Sequence, residues 1–507
     1  MGLDLATTGK PGFTWVEHEA LYSAAESRAL DHWAIDHGGI SGALLMSRAA
    51  AATLEQLLLR WPEPELLQIL CGTGNNGGDG YLIADQAHRR GIPAQVLQVG
   101  DPAKIGGDAL RAREQALANG VAVLPFSSAA LQQSGVLVDA MLGTGLGGEV
   151  RAPFAAAIDA CNAGGRPVVA VDIPSGLCSD TGRILGRAVR AELTVTFIGY
   201  KRGLFTLDGP DCCGALEFSD LAVPLEAYRA VAPGWRRLEL DQLLAQWPRR
   251  PAAAHKGSFG TVLVIGGDTG MPGAVVLAAE AALRSGAGLV RVATQPEHLS
   301  ALIARTPEAM VTGVRSGQDL QPLLAAADVL VVGPGLGRSS WSQQLLQAVA
   351  ASDLPCVLDA DGLNLLAQGQ LLPRKRRDHW LYTPHPGEAA RLLGVTTAAV
   401  QADRFAAAVQ LQEQLGGTAV LKGNGSLVVA ADARLLSDYG NPGMASGGMG
   451  DVLSGIVGGL LAQGLEGVAA AALGVCLHGA AADAAAEQGQ RGLLASDLMA
   501  PLRRLLG

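Results

Sequence analysis

Short apolar runs recur along this chain, and most of them end in a loop of glycine, asparagine or aspartate. Residues 66–70 lead into Gly72-Thr73-Gly74-Asn75-Asn76-Gly77-Gly78-Asp79-Gly80. Residues 136–141 lead into Gly143-Thr144-Gly145-Leu146-Gly147-Gly148-Glu149, and 168–171 into Asp172-Ile173-Pro174-Ser175-Gly176. Helical spacing at 81–90, 108–118 and 153–162 fills the intervals. The second half shows the same pattern, with runs at 261–265, 289–293, 329–332, 356–358, 380–382 and 418–421. Strands that alternate with helices predict parallel sheets covered by helices on both faces. Ligands of such sheets sit beyond the carboxyl ends of the strands, where these loops lie. Residues 21–34 and 43–59 have apolar positions at helical spacing, so the first 60 residues are expected to be helical.

A chain of 507 residues exceeds one ordinary core, and two or more α/β domains are expected. With 49% hydrophobic and 17% charged residues the class is globular. A formal net charge of −9 disfavours nucleic acid or an anionic membrane as the main partner. The seven cysteines are scattered without a CxxC pair, which fits reduced thiols in the cytoplasm. Asp4 interrupts the N-terminus, so no secretory leader is expected. The most apolar tract, 452–465, is too short to span a bilayer and reads as a buried helix. Pro- and Arg-rich segments at 233–237 and 247–251 read as a linker.

The first-half loops carry oxygen ligands. The Asn76 amide oxygen, the Asp139 carboxylate and the Ser175 hydroxyl are candidates to converge on a hard cation. The plainer alternatives are a turn at Asn75-Asn76-Gly77 and turn-capping by Asp139 and Asp172. Lys201 by itself reads as a solvated surface residue.

Asn75-Asn76-Gly77-Gly78-Asp79, Gly143-Thr144-Gly145 and Val171-Asp172-Ile173-Pro174-Ser175-Gly176-Leu177 resemble the NAD(P)H-hydrate epimerase domain. That family interconverts the R and S forms of NADH and NADPH that carry a hydroxyl at nicotinamide C6. The resemblance covers most of residues 15–225 and implies a Rossmann-like fold. It implies substrate binding by Asn75, Asn76, Gly77, Gly78 and Asp79, by Gly143, Thr144, Gly145, Leu146, Gly147, Gly148 and Glu149, and by Asp172. It implies potassium at Asn76, Asp139 and Ser175. Asp172 is the candidate to steer a proton or stabilise an iminium. Ser47 departs from the family pattern, where Glu or Asn is expected.

In the second half, Lys422-Gly423-Asn424-Gly425-Ser426 and the stretch from Asn441 to Gly455, centred on Gly447-Gly448-Met449-Gly450-Asp451, form two backbone-rich anion sites. Asp451 beside a phosphate site is either a helix cap or a group that handles a proton or metal. Here the chain resembles the ribokinase-like small-molecule kinases. His255-Lys256-Gly257-Ser258-Phe259-Gly260, Asp359-Ala360-Asp361-Gly362-Leu363-Asn364 and residues 441–455 are more similar still to the ADP-dependent NAD(P)H-hydrate dehydratases. The resemblance covers about residues 240–507. It implies nucleotide binding by Lys422, Gly423, Asn424, Gly425, Ser426 and Gly450. It implies hydrate contacts by Ala274, Gly335, His385 and Asp451, with Asp451 catalytic, ADP as co-substrate and magnesium at the phosphates. Where many kinases of this fold carry Asn-x-x-Glu, this chain has His385-Pro386-Gly387-Glu388. Asp359 and Asp361 are either metal-side carboxylates or turn caps.

The expected organisation is an epimerase domain at 1–230, a linker region at 231–250 and a ribokinase-like dehydratase domain at 251–507. Its partners would be small molecules, hydrated NAD(P)H and ADP, in a cytoplasmic homo-oligomer without nucleic acid or membrane. The competing readings are a vitamin or sugar kinase with an inactive appendage, and a first half that only binds.

Overall fold

The computed structural model describes residues 13–16, 18–369 and 376–507. The chain divides into an N-terminal unit, residues 20–235, and a C-terminal unit, residues 236–507 with the described residues before Ala20. The expectation of no leader rests on residues outside the described ones.

The N-terminal unit is built on a parallel seven-stranded sheet. Its order is Ala122–Pro125, Ala94–Gln98, Leu67–Cys71, Val136–Ala140, Val168–Val171, Leu193–Phe197, Ala215–Ser219. Successive residues of the central strands enter different cores. Ile69 and Val138 pack on one side, Leu70 and Leu137 on the other. That alternation makes a three-layer sandwich. The chain order reverses between Leu67–Cys71 and Val136–Ala140, and a crevice opens at such a reversal. The loops after these two strands touch. A Cβ on Gly72 would lie 1.9 Å from the Met141 carbonyl oxygen, so only glycine fits there.

Two local expectations are corrected. The first 60 residues are not all helical, because Glu19–Tyr22 is a strand in which Leu21 and Tyr22 pair in parallel with Tyr200 and Lys201. The helix expected from Tyr81 starts earlier and spans Asn75–Arg89. Gly77 and Gly78 are therefore helical residues and not part of a loop. They are small because the helix is tightly packed. A Cβ on Gly77 would meet the Gly72 carbonyl oxygen at 2.3 Å, and one on Gly78 the Met46 Sδ at 2.6 Å.

In the C-terminal unit the strand order is Met310–Gly313, Leu289–Thr294, Thr261–Ile265, Val329–Val332, Cys356–Leu358, Trp380–Tyr382, Thr418–Leu421, Ser426–Val429, Arg434–Ser437. Pairing is parallel through Thr418–Leu421 and antiparallel across the last two hairpins. The stretch that reads as a linker carries the strand Trp235–Arg237 and the helix Leu240–Gln246. Arg236 and Arg237 pair with Leu435 and Leu436, and Leu240 and Leu243 are buried.

The helix Met449–Ala462 packs closely on Pro272–Arg284. Glycines allow this, since a Cβ on Gly455 would meet the Ala278 carbonyl oxygen at 2.2 Å. Gly467–Ala486 is long and apolar enough to cross a membrane by length and composition, a feature absent from the sequence reading. It is mostly buried within its own unit, as a core helix is.

Candidate active sites

The crevice of the N-terminal unit is a cavity of about 610 Å³. Thr73, Gly74, Asn75, Asn76 and Asp79 line it from the first loop and helix, and residues 141–147 from the second. Asp172 and Lys201 face it from the next two strand ends, and Asp31 from the helix Ala24–Asp36. The helix Asn75–Arg89 starts after Gly74 without a side-chain cap, so its first N–H groups remain open to an anion. Gly143, Thr144, Gly145, Leu146 and Gly147 line the cavity, whereas Gly77, Gly78, Gly148 and Glu149 do not. Ser47 does not line it either; its carbonyl accepts from Gln86 Nε2 at 3.0 Å.

Behind the lining, Asp139 is fully buried. Its Oδ1 accepts from the Ser175 hydroxyl at 2.6 Å and its Oδ2 from the Ser175 amide at 2.7 Å. Burial, partly offset by these hydrogen bonds, pushes the Asp139 carboxyl up to about 6. The Ser175 hydroxyl also accepts from the Leu142 amide at 2.8 Å, which ties it to the cavity wall. Asn76 is buried, and among the described residues neither its amide oxygen nor its amide nitrogen has a partner.

Asp172 has a φ of 68°, uncommon for a residue with a Cβ. That turn aims its Oδ1 at three donors. Lys201 Nζ makes a short ion pair with it, Thr196 Oγ1 donates at 3.2 Å and the Phe197 amide at 3.3 Å. Lys201 is 3% exposed, and its ammonium also donates to Thr196 Oγ1 and the Phe197 carbonyl. The surface reading of Lys201 is therefore corrected. Asp31 and Asp79 share the field of this pair. Burial, then the charges of Asp172 and Asp31, push Asp79 well above the usual carboxylate range. Burial, opposed by Lys201 and reinforced by Asp172, pushes Asp31 up to about 6.

In the C-terminal unit, Gly448 takes a left-handed φ of 90° and starts the helix Met449–Ala462 without a side-chain cap. Asp451 is thus the third helical residue, not the cap. A Cβ on Gly450 would stand 3.1 Å from Lys422 Nζ and 3.5 Å from Asp359 Oδ2. Asp359 accepts from Lys422 Nζ at 2.8 Å through Oδ1 and from Ser454 Oγ at 2.7 Å through Oδ2. Burial, raised further by Asp359 and opposed by Lys422, pushes Asp451 up to about 7. Burial, opposed by Lys422, does the same to Glu388.

His385 caps the helix Pro386–Leu393. Its Nδ1 accepts from the Gly387 amide at 2.9 Å, while Glu388 Oε2 accepts from the His385 amide at 2.8 Å. Gly423 and Gly425 both have positive φ, and buried Arg404 donates to the carbonyls of Leu421, Lys422 and Asn424. The Ser426 hydroxyl donates to the Gly423 carbonyl at 3.3 Å. Arg404 thus fixes the carbonyls of the 421–426 loop. Asp361 accepts from the Gly337 amide at 3.0 Å, so it holds the loop in which Gly335 packs on Ala274. Of the two acidic residues at that strand end, Asp359 pairs with the lysine and Asp361 braces a loop.

Two family models match, NAD(P)H-hydrate dehydratase over residues 262–504 and the YjeF-related protein N-terminus over residues 42–203. A bifunctional NAD(P)H-hydrate repair enzyme of Coxiella burnetii is 49% identical over 96% of this chain and 99% of its own. That of Escherichia coli is 43% identical over 97% of this chain and 94% of its own. The chain belongs to the family of bifunctional NAD(P)H-hydrate repair enzymes. A ribokinase-like protein from Enterococcus faecalis, 33% identical, superposes at a TM-score of 0.50 over 54% of this chain and 95% of its own. The C-terminal unit has the ribokinase-like fold, and the N-terminal unit the Rossmann-like strand order.

Within this repair family the charged core of each site was only half legible. Asp31 went unremarked, although it shares a helix face with Ser27, Leu30 and Ala34, which are buried. A carboxylate on an otherwise buried stripe was the available signal. Arg404 likewise stands among buried residues of its helix, with nothing in its neighbours to announce the loop it clamps.

Proposed function

We propose that the N-terminal unit interconverts the R and S hydrates of NADH and NADPH, and that the C-terminal unit dehydrates the S form with ADP. The observation that carries this reading is Asp451, a carboxylate pushed up to about 7 at an uncapped helix N-terminus beside the pair of half-buried Lys422 and buried Asp359. A base poised near pH 7 suits removal of a hydroxyl proton. The open N–H groups and Lys422 suit the phosphates it must reach.

Hydroxide leaves carbon poorly and phosphate leaves well. Asp451 takes the proton of the C6 hydroxyl, and that oxygen attacks the β-phosphorus of ADP, releasing AMP. The ring nitrogen then drives phosphate from C6, and loss of a proton from C5 restores the ring double bond. Lys422, Gly423, Asn424, Gly425, Ser426 and Gly450 hold the nucleotide. Ala274, Gly335 and His385 contact the hydrate. Among the described residues no group of three or more acidic, histidine or cysteine side chains forms a metal cage. Magnesium would arrive with the nucleotide phosphates, as it commonly does, with Glu388 a candidate ligand through water.

In the N-terminal unit, Asn75 to Asp79, the 143–149 loop and Asp172 bind the hydrate, with Asp172 placed to stabilise positive charge at the ring. Potassium fits Asn76, Asp139 and Ser175 because all three are buried oxygen donors and the Asn76 amide has no partner among the described residues. These residues would hold the ion, which would offset the Asp139 charge behind the wall. Seven free cysteines agree with a reducing cytoplasmic location. A homo-oligomer remains part of this reading.

The test is incubation of the pure protein with racemic hydrated NADH and ADP. Reduced-nicotinamide absorbance should return until both epimers are consumed. Formation of a stable phosphorylated alcohol without that absorbance would overturn the reading in favour of a kinase.

A further inference from the structure

The N-terminal cavity holds three carboxylates and one ammonium, and their environments differ. Asp172 is committed, since its Oδ1 accepts from Lys201, Thr196 and Phe197. Asp79 is half-buried, and burial, then the charges of Asp172 and Asp31, hold it toward its neutral form. An acid held so far toward its neutral form gives up a proton reluctantly. Asp31 differs from both. It lines the cavity, sits on the helix Ala24–Asp36 rather than on a strand-end loop, and its carboxylate has no hydrogen-bond partner among the described residues.

Resting on the epimerase reading above, we infer that Asp31 is the catalytic acid–base of epimerisation, giving its proton to the C6 hydroxyl and recovering it from the water that returns. The electron balance closes without another reagent. The C6–O bond breaks with its electron pair on oxygen, which takes the proton of Asp31 and departs as water. The lone pair of the ring nitrogen forms the C6=N1 iminium, whose charge faces Asp172. Water adds to the other face of C6, the π electrons return to nitrogen, and the released proton goes to the Asp31 carboxylate. The product is the opposite epimer, and the enzyme is unchanged. Asp172 and Lys201 set the field, and Asp31 moves the proton.

The groups facing Asp31 are Arg28 and His32 on its own helix, Asp172 and Lys201 from the strand ends, Asp79 from the helix behind the first loop, and Tyr228 from Leu225–Ala230. Burial and Asp172 lift Asp31 to about 6 against the pull of Lys201. Both proton states are then accessible near neutral pH, as reversible proton transfer requires.

The test uses the full chain and follows loss of the R hydrate above its spontaneous rate. Asp31→Asn should lower kcat for epimerisation by roughly 10²–10⁴-fold with little change in KM, and should abolish the limb near pH 6 in the kcat profile. Asp31→Glu should recover part of kcat. A wild type that epimerises alongside an Asp31→Asn protein within about threefold of it would overturn the assignment alone. A wild type that does not epimerise would overturn the epimerase reading and this inference together. Removing Asp31 orphans no hydrogen-bond donor, and thermal melting checks that each variant is folded. Should Asp31→Asn fail to fold, Asp31→Ser reads the same kcat and pH limb.

Discussion

Each unit gathers three carboxylates around one lysine, buried in the N-terminal unit and half-buried in the C-terminal one, yet the two clusters differ in how the lysine is held. In the N-terminal unit Lys201 is pinned by a carbonyl, a hydroxyl and Asp172, so its ammonium is fully occupied. With Lys201 matched by Asp172 and Asp79 held toward its neutral form, the charge left facing the cavity is that of Asp31. In the C-terminal unit Lys422 makes one ion pair among the described residues, 2.8 Å to Asp359, and stands against Gly450 at an uncapped helix start. Its remaining donors and the open N–H groups point to anions. On the proposed reading the same residue types would serve an iminium in one unit and phosphates in the other, and the backbone around the lysine would decide which.

The sharpest way to break this comparison is Asp451→Asn. Dehydration of the S hydrate should fall by roughly 10²–10⁴-fold, the scale of a positioned base. Epimerisation, followed as interconversion of the R and S hydrates without ADP, should persist. Equal loss of both would show that the units do not act as separate sites. The lysines come next. Lys422→Met leaves Asp359, 1% exposed, without its cation and with the Ser454 hydroxyl still donating, and an uncompensated charge so buried is strongly destabilising. Lys201→Met leaves Asp172, which is 18% exposed and retains the Thr196 and Phe197 donors. Lys422→Met should therefore lower the denaturation midpoint more than Lys201→Met. The reverse order in chemical denaturation would show that exposure does not govern the two pairs.

How much of this was legible depends on what made each element. The parallel strands were readable because Leu67–Cys71, Val136–Ala140 and Val329–Val332 are buried on both faces and so are apolar apart from Gln68 and Asp139. The start of the helix at Asn75 was not. Asn-Asn-Gly-Gly has poor helix propensity, and its glycines are required by contacts with Gly72 and Met46, which lie outside the motif. The linker reading failed to foresee Trp235–Arg237 because a short strand with two arginines has no strand signature until Leu435 and Leu436 pair with it. Motif residues such as Asp172, Asp451 and Lys422 stood out by their loops. Lys201 and Asp31 did not, because burial of a charge is settled by tertiary neighbours and not by local pattern.

The smallest expected effect is on stability, and its sign is the most informative part. Asp451 titrates at about 7 in the folded chain against 3.8 as a free carboxyl. Between these values the folded state binds the proton that the unfolded state has lost. Stability from this group is therefore full below about pH 4 and declines as pH rises toward 7. At pH 8 the charged carboxylate opposes folding, the burden borne by a base held near neutrality in a buried site. Asp451→Asn should then melt higher than the wild type at pH 8, by ~2–4 °C for each kcal/mol relieved. The gap should shrink as pH falls to 5. Differential scanning across that range reads it directly. An Asp451→Asn protein that melts lower than the wild type at pH 8 would mean that the carboxylate is stabilised by Lys422 more than it is destabilised by burial and Asp359. The C-terminal cluster would then resemble the N-terminal Asp172–Lys201 pair more than the contrast between the two sites allows.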